Sequence, residues 1–291
     1  MANQPTIEGT LRILEKGREM FANEAKRGDD NTLWDTMGAC IRGLTRRMMK
    51  PEAGDRPMDF TVAELHSIWY IFTLAASNID ADHSGQDRLI RIVLWARELG
   101  AICGPDGTAT VSAAVTPGGK LWSDLPFLYE DIRDAWIQVT SSTAPSSPTE
   151  ARNLAAAIAR LDGLGVCDGK LIGCGLDIMR RALEDEPSGH FTHAQLLAIV
   201  EVWLRYAGDK FLAVAAGGLT VDDKWNAADP LSTQQSSLSR NAVLVWMQRL
   251  SELKAGESKE VKVVAERCYN MLGWCCVTRW GKGIEDWATD E

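Results

Sequence analysis

The sequence predicts an all-α protein, and three observations lead to that prediction. Apolar residues recur at intervals of three and four along most of the 291-residue chain, the spacing that places side chains on one face of a helix. The alternating pattern of strands is nearly absent, and Thr108–Val111, the one short exception, fits a loop better. Turn-forming clusters separate the periodic segments. We therefore expect about ten helices in one domain over residues 1–291, with a sub-boundary or exposed loop at 141–148.

The first half of the chain contains four segments with helical periodicity. They cover residues 6–27, 32–50, 61–77 and 86–100. A capping-box pattern, Thr61 followed three residues later by Glu64, predicts where the third helix begins. An apolar and a polar stripe run side by side along this helix. The apolar stripe is Leu65, Ile68, Trp69, Phe72 and Ala75, and the polar stripe is His66, Tyr70, Thr73 and Ser77. The polar stripe either lines a cavity or is the partly exposed face of an amphipathic helix.

The stretch Gly119–Trp136 concentrates aromatic side chains and also carries four acidic ones. Pro126 interrupts the backbone pattern, and a helix is predicted to start at Asp131. Asp124 suits the cap of a turn, and Asp131 and Asp134 suit the first turn of a helix, where the helix dipole stabilises a carboxylate. We therefore assign structural roles, and not catalytic ones, to these acids.

The second half of the chain contains five further periodic segments. They cover residues 149–164, 170–184, 192–207, 239–253 and 260–272. Thr149 is the predicted cap of the first. The third is apolar almost all round, which predicts a central position, and Gly208 either ends or bends it before Phe211–Ala216 continues. Glu201 and Arg205 lie four residues apart on it and can form an ion pair.

Composition excludes several classes of protein. The net charge of −9 disfavours binding to a nucleic-acid backbone or an anionic membrane. The first residues do not resemble a signal peptide, and no run approaches the ~18 apolar residues of a membrane span. Seven cysteines are scattered without a C-x-x-C pair, which disfavours structural zinc and indicates reduced thiols. We expect a cytoplasmic protein.

No motif for a nucleotide, a metal or a nucleophile elbow is found in the sequence. The nearest approach to the aspartate-rich Mg²⁺ motif of terpene cyclases is Asp80-Ala81-Asp82-His83. Because no partner motif follows it, a solvated turn explains this run better. The four histidines are too scattered to define a triad or a metal site. We therefore predict neither a metal nor a cofactor.

The most unusual feature of the composition is eleven tryptophans, about three times the ordinary share. Two explanations are open. The indole rings either fix helix–helix contacts in a large core, or they line a roomy pocket for an apolar or conjugated ligand, with a few polar side chains supplying hydrogen bonds.

Several short stretches resemble a fungal family of helical proteins that is described only as a domain of unknown function. The matching pieces are His83–Leu89, Leu121–Phe127 with Arg133 and Trp136, Asn153-Leu154 with Ala159–Leu161, Arg181–Glu184, Trp203 with Tyr206–Gly208, and Ser239-Arg240 with Trp246 and Arg249. They occur in the family's order over roughly residues 82–253. Family members carry an aromatic residue before Ala159, whereas this chain has Ile158, which implies a reshaped cavity.

In size, helical character and lack of cofactor motifs, the chain is also similar to the fungal hetero-Diels–Alderases that join a tropolone quinone methide to a macrocyclic sesquiterpene. This resemblance implies an enzyme of secondary metabolism that needs no cofactor and holds two apolar or conjugated reactants in near-attack geometry. Hydrogen-bond donors would polarise the quinone-methide oxygen and assist the loss of water that creates it. A homo-oligomer is compatible with this function.

No known catalytic residues are carried over from these families, so the candidate site is chosen by periodicity and chemistry. The predicted catalytic residues are His66, Tyr70, Arg133 and Arg160. The predicted substrate-binding residues are Trp69, Trp122, Tyr129, Trp136, Trp203, Tyr206 and Trp246. The alternative function is a helical ligand-binding or protein-interaction module without catalysis, which the absence of a catalytic motif favours.

Overall fold

Two long apolar helices organise the protein, one in each of two compact units, Met1–Thr140 and Ser141–Glu291. The structure is a computed structural model, and it describes residues 7–27, 30–50, 57–103, 114–141, 147–185, 191–217, 238–256 and 258–289. These residues form eleven α-helices and two strands of two residues each, which confirms the all-α prediction. The division between the units falls at the start of the stretch 141–148, and the assignment of one domain to the whole chain stays a prediction.

The first unit is built around α3, which packs against every other helix of the unit. Its elements are α1 (Ile7–Arg27), α2 (Asp30–Met48), α3 (Met58–Asn78), α4 (Gly85–Glu98), β1 (Val115–Thr116), β2 (Gly119–Lys120) and α5 (Leu128–Thr140). The apolar stripe predicted along α3 is buried. β1 and β2 are antiparallel, with Val115 opposite Lys120, and the hairpin leads into the aromatic stretch before α5. The segment Thr108–Val111 lies outside the described residues.

The second unit is built around α8, which contacts four other helices of the unit. Its elements are α6 (Pro148–Gly163), a 3-10 helix (Val166–Gly169), α7 (Ile172–Leu183), α8 (His193–Gly217), α9 (Arg240–Ala255), α10 (Lys259–Trp280) and α11 (Ile284–Thr289). The central position predicted for the 192–207 helix is confirmed, and Gly208 does not end it. Along the described ranges, no helix has both the length and the apolar character needed to cross a membrane.

At three helix starts, the capping residue or the first turn differs from the sequence prediction. α3 begins at Met58, and not after Thr61, because Pro57 occupies the N-cap position and Asp59 favours the positive end of the helix. α6 is capped by Ser147, and not by Thr149, in a capping box with Glu150 that places Pro148 at the first helical position. α5 begins three residues before Asp131, at Leu128, immediately after the turn that contains Pro126. Each difference is within one helical turn.

Replacement by alanine is expected to change the stability in opposite directions at two glycines in helices of the second unit. A methyl group on Gly175 of α7 would lie 2.5 Å from the Phe211 ring and 2.8 Å from the Trp203 ring, and both rings are buried. A methyl group on Gly273 of α10 would meet no atom within 4 Å. We expect Gly175→Ala to lower the free energy of unfolding by about 1–3 kcal/mol through overpacking, and Gly273→Ala to raise it by about 0.5–1 kcal/mol through helix propensity. Chemical denaturation measures both, and equal responses would contradict the packing described for Gly175.

Candidate functional site

The loop between β2 and α5 holds three non-glycine residues in left-handed backbone conformations. They are Trp122, Leu125 and Phe127, with φ angles of 67°, 48° and 67°. Side chains beyond glycine disfavour this region by roughly 1 kcal/mol or more per residue, so surrounding contacts must hold the loop. Strained residues of this kind are concentrated at functional sites, so the loop is a candidate part of such a site.

Two indole rings fix this loop to the core of the first unit. The Trp69 ring on α3 donates its N–H to the carbonyl oxygen of Pro126 at 2.8 Å. The Trp122 ring donates to Thr45 Oγ1 at 2.9 Å and packs edge to face against Trp69. Asp124, which was predicted to cap the turn at Leu125-Pro126, instead accepts the backbone N–H of Lys120 on its other side at 2.8 Å. The hydrogen bonds of the two indole rings and their edge-to-face packing offset the backbone strain.

The loop delivers Asp131, in the first turn of α5, to His66 on α3. Nδ1 of His66 lies 2.9 Å from both carboxylate oxygens of Asp131. The ring of Phe127 lies against the imidazole at a centroid distance of 4.8 Å. The carboxylate therefore fixes the orientation of the imidazole and the proton on Nδ1, which is the role of the acid in a histidine–aspartate catalytic pair.

The His66–Asp131 pair has the electrostatics of an acid–base group. The hydrogen bond to Asp131 raises the pKa of His66, while partial burial acts in the opposite direction. The two side chains are 35% and 22% exposed, so solvent or a ligand can reach them. Among the described residues, Nε2 of His66 has no hydrogen-bond partner. Nε2 is therefore available to donate a proton when the ring is charged and to accept one when it is neutral.

Tyr70 follows His66 by one helical turn, so the half-buried polar stripe on α3 places two predicted catalytic residues together. The guanidinium of Arg18 on α1 lies 5.5 Å from the centre of the Tyr70 ring and donates to Ser67 Oγ at 3.3 Å. Burial raises the pKa of Tyr70, so its hydroxyl stays protonated at neutral pH and can act as a hydrogen-bond donor.

The other predicted residues of the first unit lie along α5 and in the core of the unit. Arg133 pairs with the neighbouring Asp134 at 3.1 Å on the surface of α5. Tyr129 is half-buried at the start of the same helix. Trp136 is fully buried, as are Trp69 and Trp122. In this structure the three tryptophans are core residues, and contact with a substrate would require a cavity to open beside them. Their assignment to substrate binding stays a prediction.

Four predicted residues lie in the second unit, where the structure brings two of them together. Arg160 on α6 donates to the Tyr206 hydroxyl on α8 at 2.7 Å, and its guanidinium lies 3.6 Å from the centre of the same ring. Trp203 is fully buried and meets the Phe211 ring edge to face. Trp246 on α9 donates to Glu184 Oε1 at 2.6 Å. The predicted pair of Glu201 and Arg205 is confirmed at 2.9 Å.

Sequence reasoning missed two members of the first-unit site, Asp131 and Arg18. Asp131 was assigned to the helix dipole, and that assignment is incomplete because its carboxylate also bonds to His66. His66 and Asp131 are 65 residues apart, so no spacing rule connects them. The available signal was the polar stripe on α3, which needed a partner from a neighbouring helix.

Comparison with known proteins identifies the family. Residues 69–250 match the family described as "Protein of unknown function (DUF3632)", which covers more than half of the chain. The chain therefore belongs to this family, and the predicted resemblance to a helical family of unknown function is confirmed. The matched region begins at Trp69, three residues after His66, and it includes the strained loop and α5.

One curated relative adds a biological context. The chain is 26% identical to "Oxopyrrolidines biosynthesis cluster protein G" of the fungus Penicillium oxalicum, over 89% of this chain and 77% of that protein. No solved structure matches the chain. The fold described above therefore rests on the chain's own structure, and the relative's name concerns that protein alone.

Proposed function

We propose that this member of the family acts in fungal secondary metabolism as a cofactor-independent cyclase. In its specific form, the proposal is an intermolecular hetero-Diels–Alder reaction that joins a tropolone quinone methide to a macrocyclic sesquiterpene. The observation that carries it is the His66–Asp131 pair. Nε2 of His66 has no hydrogen-bond partner among the described residues, and Tyr70 lies one helical turn away. Pairs of this kind perform proton transfer without any metal or nucleotide.

The biosynthetic part of the proposal is supported by the relative from a fungal biosynthesis cluster. The reaction type is not, because the name of that protein refers to oxopyrrolidines, a different class of product. The reaction type rests on the resemblance of the sequence to the fungal hetero-Diels–Alderases and on the acid–base chemistry of the site.

The proposed chemistry has two steps that balance without an oxidant or reductant. In the first, Nε2–H of charged His66 gives its proton to the hydroxyl of a tropolone carbinol while the C–O bond breaks, and the ring hydroxyl releases its proton to solvent. Water and the quinone methide are the products, and solvent returns a proton to His66. In the second, the sesquiterpene double bond adds across the heterodiene, forming one C–C and one C–O bond.

Hydrogen bonding would assist the second step as well. Developing negative charge on the quinone-methide oxygen is stabilised by donors that are already in place, and Nε2–H of His66 and the Tyr70 hydroxyl are such donors. Arg133 and the half-buried Tyr129 would contact the reactants from α5, with Trp69, Trp122 and Trp136 behind them. Orientation of the two reactants then supplies the remaining acceleration.

The experiment is an incubation of the purified protein with a tropolone carbinol and a humulene-type alcohol, without added metal or nucleotide and with a chelator present. Chiral chromatography with mass detection measures the adduct. We expect a higher yield and one dominant stereoisomer relative to buffer. A yield and stereoisomer ratio equal to those in buffer would overturn the hetero-Diels–Alder proposal.

A second candidate function is ligand binding without catalysis. The observation that favours it is the complete burial of Trp69, Trp122, Trp136 and Trp203, which is the arrangement expected if the tryptophans only stabilise the core. The same incubation separates the two candidates, because a binding protein would leave the product ratio unchanged while retaining the reactants in a pull-down.

A further inference from the structure

A groove with a volume of about 460 Å³ opens in the second unit between α8 and α10. Its size falls within the range of small-molecule sites. Two close helix contacts shape it. A methyl group on Gly163 of α6 would collide with the backbone carbonyl of Tyr206, and one on Gly208 would lie 2.7 Å from Cys275 Sγ. The glycines let α6 and α10 approach α8, and the side chains beside them form the groove walls.

The polar groups in the groove are mainly hydrogen-bond donors, beginning with the Tyr206 hydroxyl. Its oxygen accepts a hydrogen bond from Arg160 at 2.7 Å. The hydroxyl proton has no acceptor among the described residues. A phenol that accepts from a guanidinium is polarised, which strengthens it as a donor to a ligand oxygen.

Lys210 and Arg279 supply further donors on the groove walls. Two of the three ammonium protons of Lys210 are used by Asp162, at 2.8 Å from Oδ1 and 2.7 Å from the backbone oxygen. The third remains for a ligand. Arg279 lies over the Trp280 ring and forms no ion pair within the described part of the chain. Both cations therefore have binding capacity left.

One cation of the groove keeps its full charge for an anion. Arg205, Lys210 and Arg279 line the groove together with one acid, Asp209. Arg205 is paired with Glu201 and Lys210 with Asp162, whereas Arg279 has no ion pair among the described residues. Asp209 lies beside the Cys275 thiol. Burial, together with the charge of Asp209, raises the pKa of this thiol to about 12, so it stays protonated and is not a nucleophile at neutral pH. The groove therefore has binding chemistry and lacks an activated nucleophile.

The groove also offers an aromatic surface. Trp274 on α10 lines it and is 70% exposed, the most exposed tryptophan among the described residues. Leu204 and Ala213 on α8 add apolar contact. An exposed indole beside free donors is typical of a site that stacks a flat ring and binds its polar substituent.

We infer that this groove binds a flat, conjugated organic anion, with its carboxylate held by Tyr206, Lys210 and Arg279 and its ring against Trp274. The site belongs to the second unit and is independent of the chemistry proposed for His66. Its ligand is a substrate, product or regulator that carries a carboxylate group.

The test is isothermal titration calorimetry of the full chain with 2-naphthoate and with its neutral counterpart, 2-naphthamide. We expect saturable binding of the anion, at least about fivefold tighter than the amide and weakened by added salt. Arg279→Gln removes an exposed side chain and should weaken naphthoate binding by about five- to tenfold, with little effect on the amide. Trp274→Ala should weaken both ligands.

A matched control is Lys262→Gln, which removes one exposed cation from the same helix outside the groove. It should leave the naphthoate affinity unchanged. Equal affinity for the anion and the amide, no binding of naphthoate at millimolar concentration, or equal losses in Arg279→Gln and Lys262→Gln would each overturn the inference. Circular dichroism of every variant shows that the fold is kept.

Discussion

Replacing His66 with glutamine is expected to slow formation of the cycloadduct by about 10²–10⁴-fold, the range that a positioned acid–base group contributes. Glutamine keeps a polar side chain of similar length that can still bond to Asp131, but it cannot transfer a proton. Initial rates at saturating reactants, with the buffer reaction subtracted, measure the loss. Because His66 is partly exposed, the variant should fold normally.

The pH dependence of the rate separates a catalytic role of His66 from a structural one. Charged His66 is the proposed acid, so the rate should be constant at low pH and should fall as the pH rises through the raised pKa of His66. Asp131→Asn removes the largest cause of that shift, and burial then lowers the pKa. We therefore expect this variant to move the fall in rate to lower pH.

The matched control for Asp131→Asn is Asp134→Asn, which removes an exposed carboxylate from the same helix. It should leave the pH profile in place. A His66→Gln variant with an unchanged rate, or an Asp131→Asn profile that coincides with the wild-type one, would contradict the assignment of His66 as the acid even if the protein does form the adduct.

The parts of the fold that could be predicted from the sequence are those set by local pattern. The central position of α8 follows from its apolar residues on every side, and the Glu201–Arg205 pair follows from a separation of four residues on that helix. Helix starts were less accurate. Ser147 and Thr149 can both cap a helix by residue type, and the hydrogen bonds of the structure show that Ser147 does so. Pro57 occupies the N-cap of α3 without any side-chain hydrogen bond.

The candidate site depends on geometry that no local pattern encodes. The position of Asp131 opposite His66 follows from the direction in which α5 leaves the loop, and three left-handed residues set that direction. Sequence patterns do not predict a left-handed φ at Trp122, Leu125 or Phe127, since these side chains disfavour it. The conformation is stable only because Trp69 and Trp122 hold the loop from the core.

The tryptophans illustrate a second limit of prediction from sequence patterns. Helical periodicity shows that Trp69 and Trp203 point to the interior, but the same periodicity results whether that interior is packed or hollow. In the structure both rings are fully buried, and the most exposed indole in the described part of the chain is that of Trp274, which the sequence did not single out. Exposure of a large aromatic side chain is a property of the assembled surface.

The largest expected effect on stability follows from the buried ion pair between Asp162 and Lys210 in the second unit. Asp162 Oδ1 lies 2.8 Å from the Lys210 ammonium, and the aspartate side chain is completely buried, whereas that of the lysine is 23% exposed. Lys210→Met would leave a buried carboxylate without its counter-charge. Removal of one partner from such a pair costs about 3–5 kcal/mol, so we expect a loss of that size in the free energy of unfolding at pH 7.

The loss should depend on pH in a direction that identifies its cause. Burial already raises the pKa of Asp162, and Lys210 opposes that shift. Without Lys210 the folded-state pKa rises further above the unfolded value, so the penalty is complete above the folded pKa and diminishes as the pH falls toward the unfolded value. Denaturant titrations at pH 7 and pH 5 should therefore show a smaller difference from wild type at pH 5.

Two further variants complete this test. Lys262→Met removes an exposed lysine from α10 and should change the stability by no more than about 0.5 kcal/mol. Asp162→Asn combined with Lys210→Met replaces a buried charge by a buried amide, so it should recover part of the loss at pH 7 and remove its dependence on pH. A Lys210→Met variant that loses less than about 1 kcal/mol, or whose loss is the same at both pH values, would show that the Asp162 carboxylate is not a buried charge that depends on Lys210.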